Sequence, residues 1–284
     1  MIVKTRQPAA KAEEVFDPAL GRSRGVLRRD ALSGNFSVSR RSPAPELAHC
    51  IAHYWTVSWD LRGHAPHVQE TLPHPNIYLV FEDAKLLIGG VSTSKFTRVL
   101  SGQSFAFGVK FTPGGFYPFL KSPAHTLTDR ILPVDRIFGK DGVALEAALA
   151  ASRDEEERVQ TTERFFRLRA PGPDETVALA GRLVERILRE TEIKTVDDLV
   201  RCTGIGKRTL QRTFNQYVGI NPKWVIRRYR LHELIERIDS GERLNWPDLA
   251  LELGYFDQAH LIHDFQAIVG HSPARYRERT GKER

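Results

Sequence analysis

The C-terminal third of the chain repeats itself. Shifted by 51 residues, Leu210 falls on Leu261, Phe214 on Phe265, Val218 on Val269, Gly219 on Gly270 and Pro222 on Pro273. Asn221 falls on Ser272. Both are helix-capping residues placed directly before a proline suited to the first helical position. Two copies of L-x3-F-x4-G-x-[NS]-P at one offset commit this region to two copies of one supersecondary unit.

Each copy reads as two short helices around a glycine turn. In the first, Thr195 caps a helix carrying Val196, Leu199 and Val200. Gly204 allows the turn, and a second helix starts near Gly206 or Lys207. In the second, Asn245 or Trp246 precedes Pro247, Leu249, Ala250 and Leu253. Gly254 turns the chain and Asp257 caps the next helix. A tight turn containing glycine between two short helices is the signature of the DNA-binding helix-turn-helix. Between the copies, Pro222 to Ile238 reads as one long helix. Its packing positions are Trp224, Val225, Tyr229, Leu231, Leu234, Ile235 and Ile238, and Gly241 ends it.

The first recognition helix divides by face. Leu210, Phe214 and Tyr217 lie at i, i+4 and i+7 and point to the core. Arg208, Gln211, Arg212 and Asn215 form the opposite stripe. Arginine suits guanine O6 and N7, and glutamine or asparagine suits adenine N6 and N7 in the major groove. The second helix offers Gln258, Ala259, His260, Ile262, His263 and Gln266 instead. That less polar face suits phosphates, a thymine methyl or DNA shape. His260 has a competing reading as a hydrogen-bonding residue inside the domain. Lys207, Lys223, Arg227 and Arg228 read as phosphate contacts or as ordinary surface charge.

Charge agrees with this placement. The net charge is +7, and from Arg201 to Arg230 there are eight basic residues and no acidic one. A solvated basic face would look the same, so the repeat carries the argument and the charge supports it. No apolar run approaches the ~20 residues of a membrane span. Met1 to Pro18 lacks the apolar core of a secretory signal. Two cysteines, Cys50 and Cys202, make neither a disulfide framework nor a four-cysteine zinc site. They read as small buried residues or as redox sensors, and a reducing cytoplasm is expected.

Residues 1–20 read as a polar tail. From about 25 to 135 short strands alternate with Gly/Pro turns. Ile77–Phe81, Leu86–Ile88 and Phe105–Phe111 are the clearest, with Gly89-Gly90 and Pro113-Gly114-Gly115 as punctuation. The spacing suggests a small barrel or sandwich. Leu47, Ile51 and Tyr54 have helical spacing, predicting a short helix that leads into a strand. Helices then take over. Val143–Ala151 is rich in alanine and leucine, and Asp154–Arg167 opens acidic and closes basic. Pro171-Gly172-Pro173 breaks the chain, and an amphipathic helix follows from Val177 through Leu188.

These residues together resemble the AraC-type transcription regulators. The resemblance covers about 177–277. It rests on R-x-L-Q-R-x-F at Arg208–Phe214, G-x-N-P at Gly219–Pro222 and R-x-x-R-L at Arg227–Leu231. It continues in L-A-x-x-x-G-Y-x-D-Q-x-H-L at Leu249–Leu261 and G-x-S-P-x-x-Y-R at Gly270–Arg277. It implies two helix-turn-helix units on a linker helix, reading adjacent major-groove segments about one helical turn apart. Gly206 departs from the family's capping serine, and His263 from its usual arginine. The N-terminal part is similar to the cupin-like sensor domain of one AraC subgroup. The matching pieces are Tyr54-Trp55, Leu72-Pro73, Gly89-Gly90 and Gly108–Gly115. That similarity implies an effector-binding or dimerising role.

Two other chemistries compete. His49, His53, His64, His67, Glu70 and His74 cluster in sequence and evoke a metal-dependent cupin enzyme, but the H-x-H…E…H arrangement is absent. The Pro113-Gly114-Gly115 loop lacks the Lys-Ser/Thr of a phosphate cradle. An architectural DNA-binding protein is a third reading, opposed by the large β-rich region.

The expectation is therefore α+β: a cupin-like β-rich barrel at 21–140, a helical connector at 141–172 and an all-α double helix-turn-helix domain at 173–284. The expected partners are double-stranded DNA, a small-molecule effector in the N-terminal domain, a second copy of the chain, and RNA polymerase if the chain activates. No cofactor, metal, catalysis or membrane is expected.

Overall fold

A computed structural model describes residues 13–16, 26–27 and 35–279. Ten strands come first: β1 (Glu13–Phe16), β2 (Val26–Leu27), β3 (Phe36–Arg41), β4 (Ile51–Asp60), β5 (His67–Thr71), β6 (Tyr78–Glu82), β7 (Lys85–Gly89), β8 (Phe96–Leu100), β9 (Gln103–Phe111) and β10 (Ile131–Pro133). They form two sheets, one of seven strands in the order β1-β3-β4-β9-β6-β7-β10 and one of three, β2-β5-β8. Every neighbouring pair is antiparallel except β1 with β3. The expected tail at 1–20 lies outside the described residues apart from Glu13–Phe16, which pair along β3.

The three predicted strands are β6, β7 and β9, each within two residues of its expected ends. Leu47, Ile51 and Tyr54 depart from expectation. All three are buried, but only Leu47 is helical, in a 3-10 turn at Pro45–Leu47. Ile51 and Tyr54 belong to β4. Their i, i+4, i+7 spacing reflects common burial under two different backbone geometries.

One sheet face is covered by α1 (Tyr117–Leu120), α2 (Asp135–Ala151, broken at Gly139) and α3 (Glu155–Arg167). Aromatic rings fill this core. Phe111, Phe116, Phe119, Phe138, Phe165 and Phe166 meet one another mostly edge to face or tilted, with centroids 4.7–6.3 Å apart. That geometry suits the ring quadrupole. Asp154 caps α3 by accepting from the Glu157 amide, with an acidic first turn and a basic last turn.

The Pro171–Pro173 break is neither helix nor strand. After it come α4 (Glu175–Arg189), α5 (Val196–Thr203), α6 (Lys207–Thr213), α7 (Pro222–Asp239), α8 (Trp246–Glu252), α9 (Gln258–Val269) and α10 (Pro273–Arg279). α7 is the spine. Asn221 caps it, Pro222 opens it, and its side chains enter two separate cores. Val225, Ile226 and Tyr229 pack with α4, α5 and α6, while Leu231, Leu234, Ile235 and Ile238 pack with α8, α9 and α10. A helix apolar on both sides belongs in the interior. Arg230 is buried there and donates to the carbonyls of Ile187 in the last turn of α4 and of Glu190 and Ile193 just beyond it, where helical partners run out.

The sheet-rich part is docked on this helical part. Leu27 and Leu72 enter the second core, and Val91 enters the first. His74 packs against the rings of Tyr229 and His232.

Candidate nucleic-acid interface

Each unit is built by local chemistry. Thr195 and Asp198 form a reciprocal capping box at the start of α5, and Gly204 closes that helix with a left-handed backbone. α6 begins after Gly206, which offers no side-chain cap. α9 begins after Asp257, whose carboxylate accepts from the His260 amide at 2.8 Å. The turns differ: residues 204–206 separate α5 from α6, and residues 253–257 separate α8 from α9.

The expected stripe on the first unit is solvent-facing. Arg208, Gln211, Arg212 and Asn215 are exposed, and make no side-chain hydrogen bond or ion pair among the described residues. Leu210 and Phe214 are completely buried on the other side. One detail escaped the periodicity. The recognition helix ends in a π turn, Phe214–Val218, which contains Asn215, while the backbone at Thr213 and Phe214 is still α-helical. Lys207 is exposed and ion-paired to Asp197 at 3.1 Å.

On the second unit Ala259, His260 and His263 are exposed, and Gln258 and Ile262 are half-buried. The His260 ring stands perpendicular to Tyr255, with centroids 5.2 Å apart. Tyr255 donates to Asp264 at 2.8 Å, and Asp264 pairs with Arg227 of α7. Burial pushes the Tyr255 hydroxyl up to about 12, so it remains a donor. Phe256, exposed in the turn just before the cap, was not singled out by sequence. Its position beside the charged cap of α9 was the available signal.

The basic run from Arg201 to Arg230 is less free than its composition suggests. Arg201 pairs with Asp198, Arg227 with Asp264 and Arg230 with Glu233. Arg228 corrects the sequence reading outright. It is 1% exposed, lies 4.5 Å over the Trp224 ring and donates to the Thr93 carbonyl at 2.7 Å. It is a contact between the two parts of the molecule, not a phosphate ligand. Arg227 is likewise committed to a carboxylate. Arg208, Arg212 and Lys223 remain exposed without an ion pair among the described residues.

The C-terminal ends of the two recognition helices meet the sheet-rich part at points one residue apart in the repeat. Gly219 and Gly270 both close their helices with positive φ, as few other residues would. The Gly219 carbonyl accepts from the Thr128 hydroxyl, and the Val269 carbonyl accepts from Lys95 at 2.9 Å. Gln216 donates to the Tyr117 hydroxyl at 2.9 Å, and the Tyr117 and Tyr217 rings meet edge-on.

The sequence cluster of histidines disperses. His49 bonds the Pro171 carbonyl, His67 packs on Phe36, Glu70 pairs with Lys95, and His74 packs on α7. Among the described residues no group of three or more His, Cys, Asp or Glu side chains is arranged to hold a metal ion. Cys50 is buried, which pushes its thiol up to about 11, and Cys202 is half-buried. No described helix is long and apolar enough to cross a membrane.

Two helix-turn-helix units on a shared spine, each with an exposed recognition helix, define a DNA-binding protein. Residues 199–279 match the model of a helix-turn-helix domain, and residues 39–133 that of a domain of unknown function (DUF6597). The chain is 31% identical over 101 residues to the HTH-type transcriptional activator AarP of Providencia stuartii, covering 36% of this chain and 69% of that one. It belongs to the AraC-type transcription regulators. Among solved structures, ToxT of Vibrio cholerae O395 is similar at 10% identity and TM-score 0.38, over 86% of this chain and 96% of that one. An apo ToxT variant from strain SCE256 gives TM-score 0.39 at 10% identity, over 84% and 99%.

Proposed function

We propose that this regulator reads DNA sequence chiefly through its first unit. Arg208, Gln211, Arg212 and Asn215 are the base-reading side chains, and Lys207 approaches a phosphate. Gln258, Ala259, His260, Ile262 and His263 fit the second unit to the groove by shape and backbone contact. The observation that carries this reading is the uncommitted polar stripe of the first unit, against a second face whose polar groups are fewer and partly occupied. Residues 173–284 act as the DNA-binding domain and 21–140 as the sensor, joined through 141–172. A small-molecule effector, or rearrangement of a dimer, changes how the two units engage adjacent sites. RNA polymerase is the further partner if the outcome is activation.

Selection of bound duplexes from a random pool tests the reading. The expected product is a bipartite site with sequence information concentrated in one half. Arg212→Ala should relax one position within that half. Information shared evenly between halves, or no enrichment, would overturn it.

A further inference from the structure

The sheet-rich part touches both recognition helices, but the two contacts differ in charge. At the second unit, the segment from Ser92 to Arg98 carries Lys95 and Arg98, and both are spent. Lys95 pairs with Glu70 and donates to the Val269 carbonyl, while Arg98 pairs with Glu82 and Asp83. At the first unit, the segment from Tyr117 to Arg130 carries Lys121 and Arg130. Both are exposed, and neither has an ion pair among the described residues. Asp129, the one acid in that segment, accepts from the Thr93 amide and hydroxyl at 2.6 and 2.7 Å.

This segment wraps the C-terminal end of the first recognition helix. Tyr117 accepts from Gln216, which lies four residues after Arg212, so α1 adjoins the exposed stripe where that stripe ends. A Cβ on Gly219 would stand 3.1 Å from the Ala124 carbonyl oxygen, and the Thr128 hydroxyl donates to the Gly219 carbonyl. The two cations lie between and just beyond these anchors. Lys121 is about one helical turn, ~6 Å, past Tyr117. Arg130 is two residues past Thr128, within ~7 Å of chain, and donates to the Thr126 carbonyl at 3.3 Å.

A recognition helix fills a major groove ~12 Å wide, so phosphates on the groove edges pass beside its ends. The C-terminal end of a helix carries partial negative charge and repels them. Here the Thr128 hydroxyl covers the last carbonyl, and two uncommitted cations stand beside it.

We propose that the sheet-rich part is itself a DNA contact, with Lys121 and Arg130 binding the phosphate backbone beside the first recognition helix. This rests on the reading that the first recognition helix enters the groove.

Binding of the full chain to a mixed-sequence duplex and to the duplex enriched by selection, followed from about 50 to about 200 mM salt, tests it. Each phosphate contact contributes about 0.9 to the slope of log affinity on log salt. Lys121→Gly and Arg130→Gln should each lower the slope by about that amount, and the double variant by about twice as much. The fall should be equal on both duplexes, because phosphates carry no sequence. Lys121 closes α1 at φ 53°, a conformation that suits glycine, so Lys121→Gly should not lower the melting temperature. Arg153→Gln, on the turn between α2 and α3, removes an equal charge and should leave the slope in place. Three results would each overturn the contact: unmoved slopes in the double variant, an equal fall in Arg153→Gln, or tighter binding in Tyr117→Phe, which would mean that the segment masks the groove. A lower melting temperature with an unmoved slope would assign the cations to the helix dipole and overturn it too. Base reading by the first unit fails separately. Slopes that fall as expected, while Arg212→Ala weakens both duplexes equally, keep this contact and count against base reading.

Discussion

At residue 213 the first unit has a threonine, and at the repeat-equivalent residue 264 the second has an aspartate. Both are buried. Asp264 accepts from Tyr255 and pairs with Arg227, tying α9 to the spine by charge. The first unit is held by packing instead. Leu210, Phe214 and Val218 meet Val225, Ile226 and Tyr229 in one apolar cluster. The contrast continues outward. The first recognition helix starts uncapped and ends in a π turn, with a free polar stripe between. The second starts with a carboxylate cap and remains α-helical to its glycine. Duplication preserved the apolar positions that make a unit fold. The polar positions diverged into a buried tie to the spine in one copy and an exposed, unpaired stripe in the other.

Six substitutions would break or sharpen this contrast. Arg212→Ala should cost up to about 3 kcal/mol of specific DNA affinity, against less than about 1 kcal/mol for His263→Ala. Competition binding with cognate and scrambled duplexes measures both, and equal losses on the two duplexes would remove base reading from Arg212. Asp264→Ala leaves Tyr255 and Arg227 without their acceptor. Arg227 is nearly half exposed, so the cost falls below that of a fully buried pair, at about 2 kcal/mol. Denaturant melts should show Thr213→Ala costing about half as much, and parity would mean that Asp264 is no special tie. Asp257→Ala should lose about 1 kcal/mol by removing the α9 cap. Gly206→Ser should gain only a few tenths of a kcal/mol at the equivalent place on α6, readable as a small rise in melting temperature.

Much of the helical part was legible because its signals are local. Thr195, Asn221 and Asp257 cap the helices they were expected to cap, and the 51-residue offset exposed both cores. β6, β7 and β9 were legible as apolar runs. β5 and β8 were not, since HVQET and FTRVL lack clean alternation. Of their ten residues only Leu100 is buried, so burial leaves no alternating signature on them. The fate of Arg228 was hidden for another reason. Its burial depends on Thr93 and on a domain contact 135 residues away in sequence, which no local pattern encodes. The π turn at 214–218 was invisible to an argument that assumed 3.6 residues per turn. The exposed polar stripe of the first unit was readable in identity, whereas the ion pairs that occupy Arg227 and Lys207 emerged only from the fold.

The spine α7 has a geometric consequence for the DNA. Its 18 residues amount to ~27 Å of hydrogen-bonded rod. A loop of equal span would let the two contacts drift, but a rod fixes both their separation and their phase around the duplex. One residue inserted within it would slide the second unit by only ~1.5 Å and yet rotate it by ~100°. The helix therefore works as a gauge of angle more than of distance.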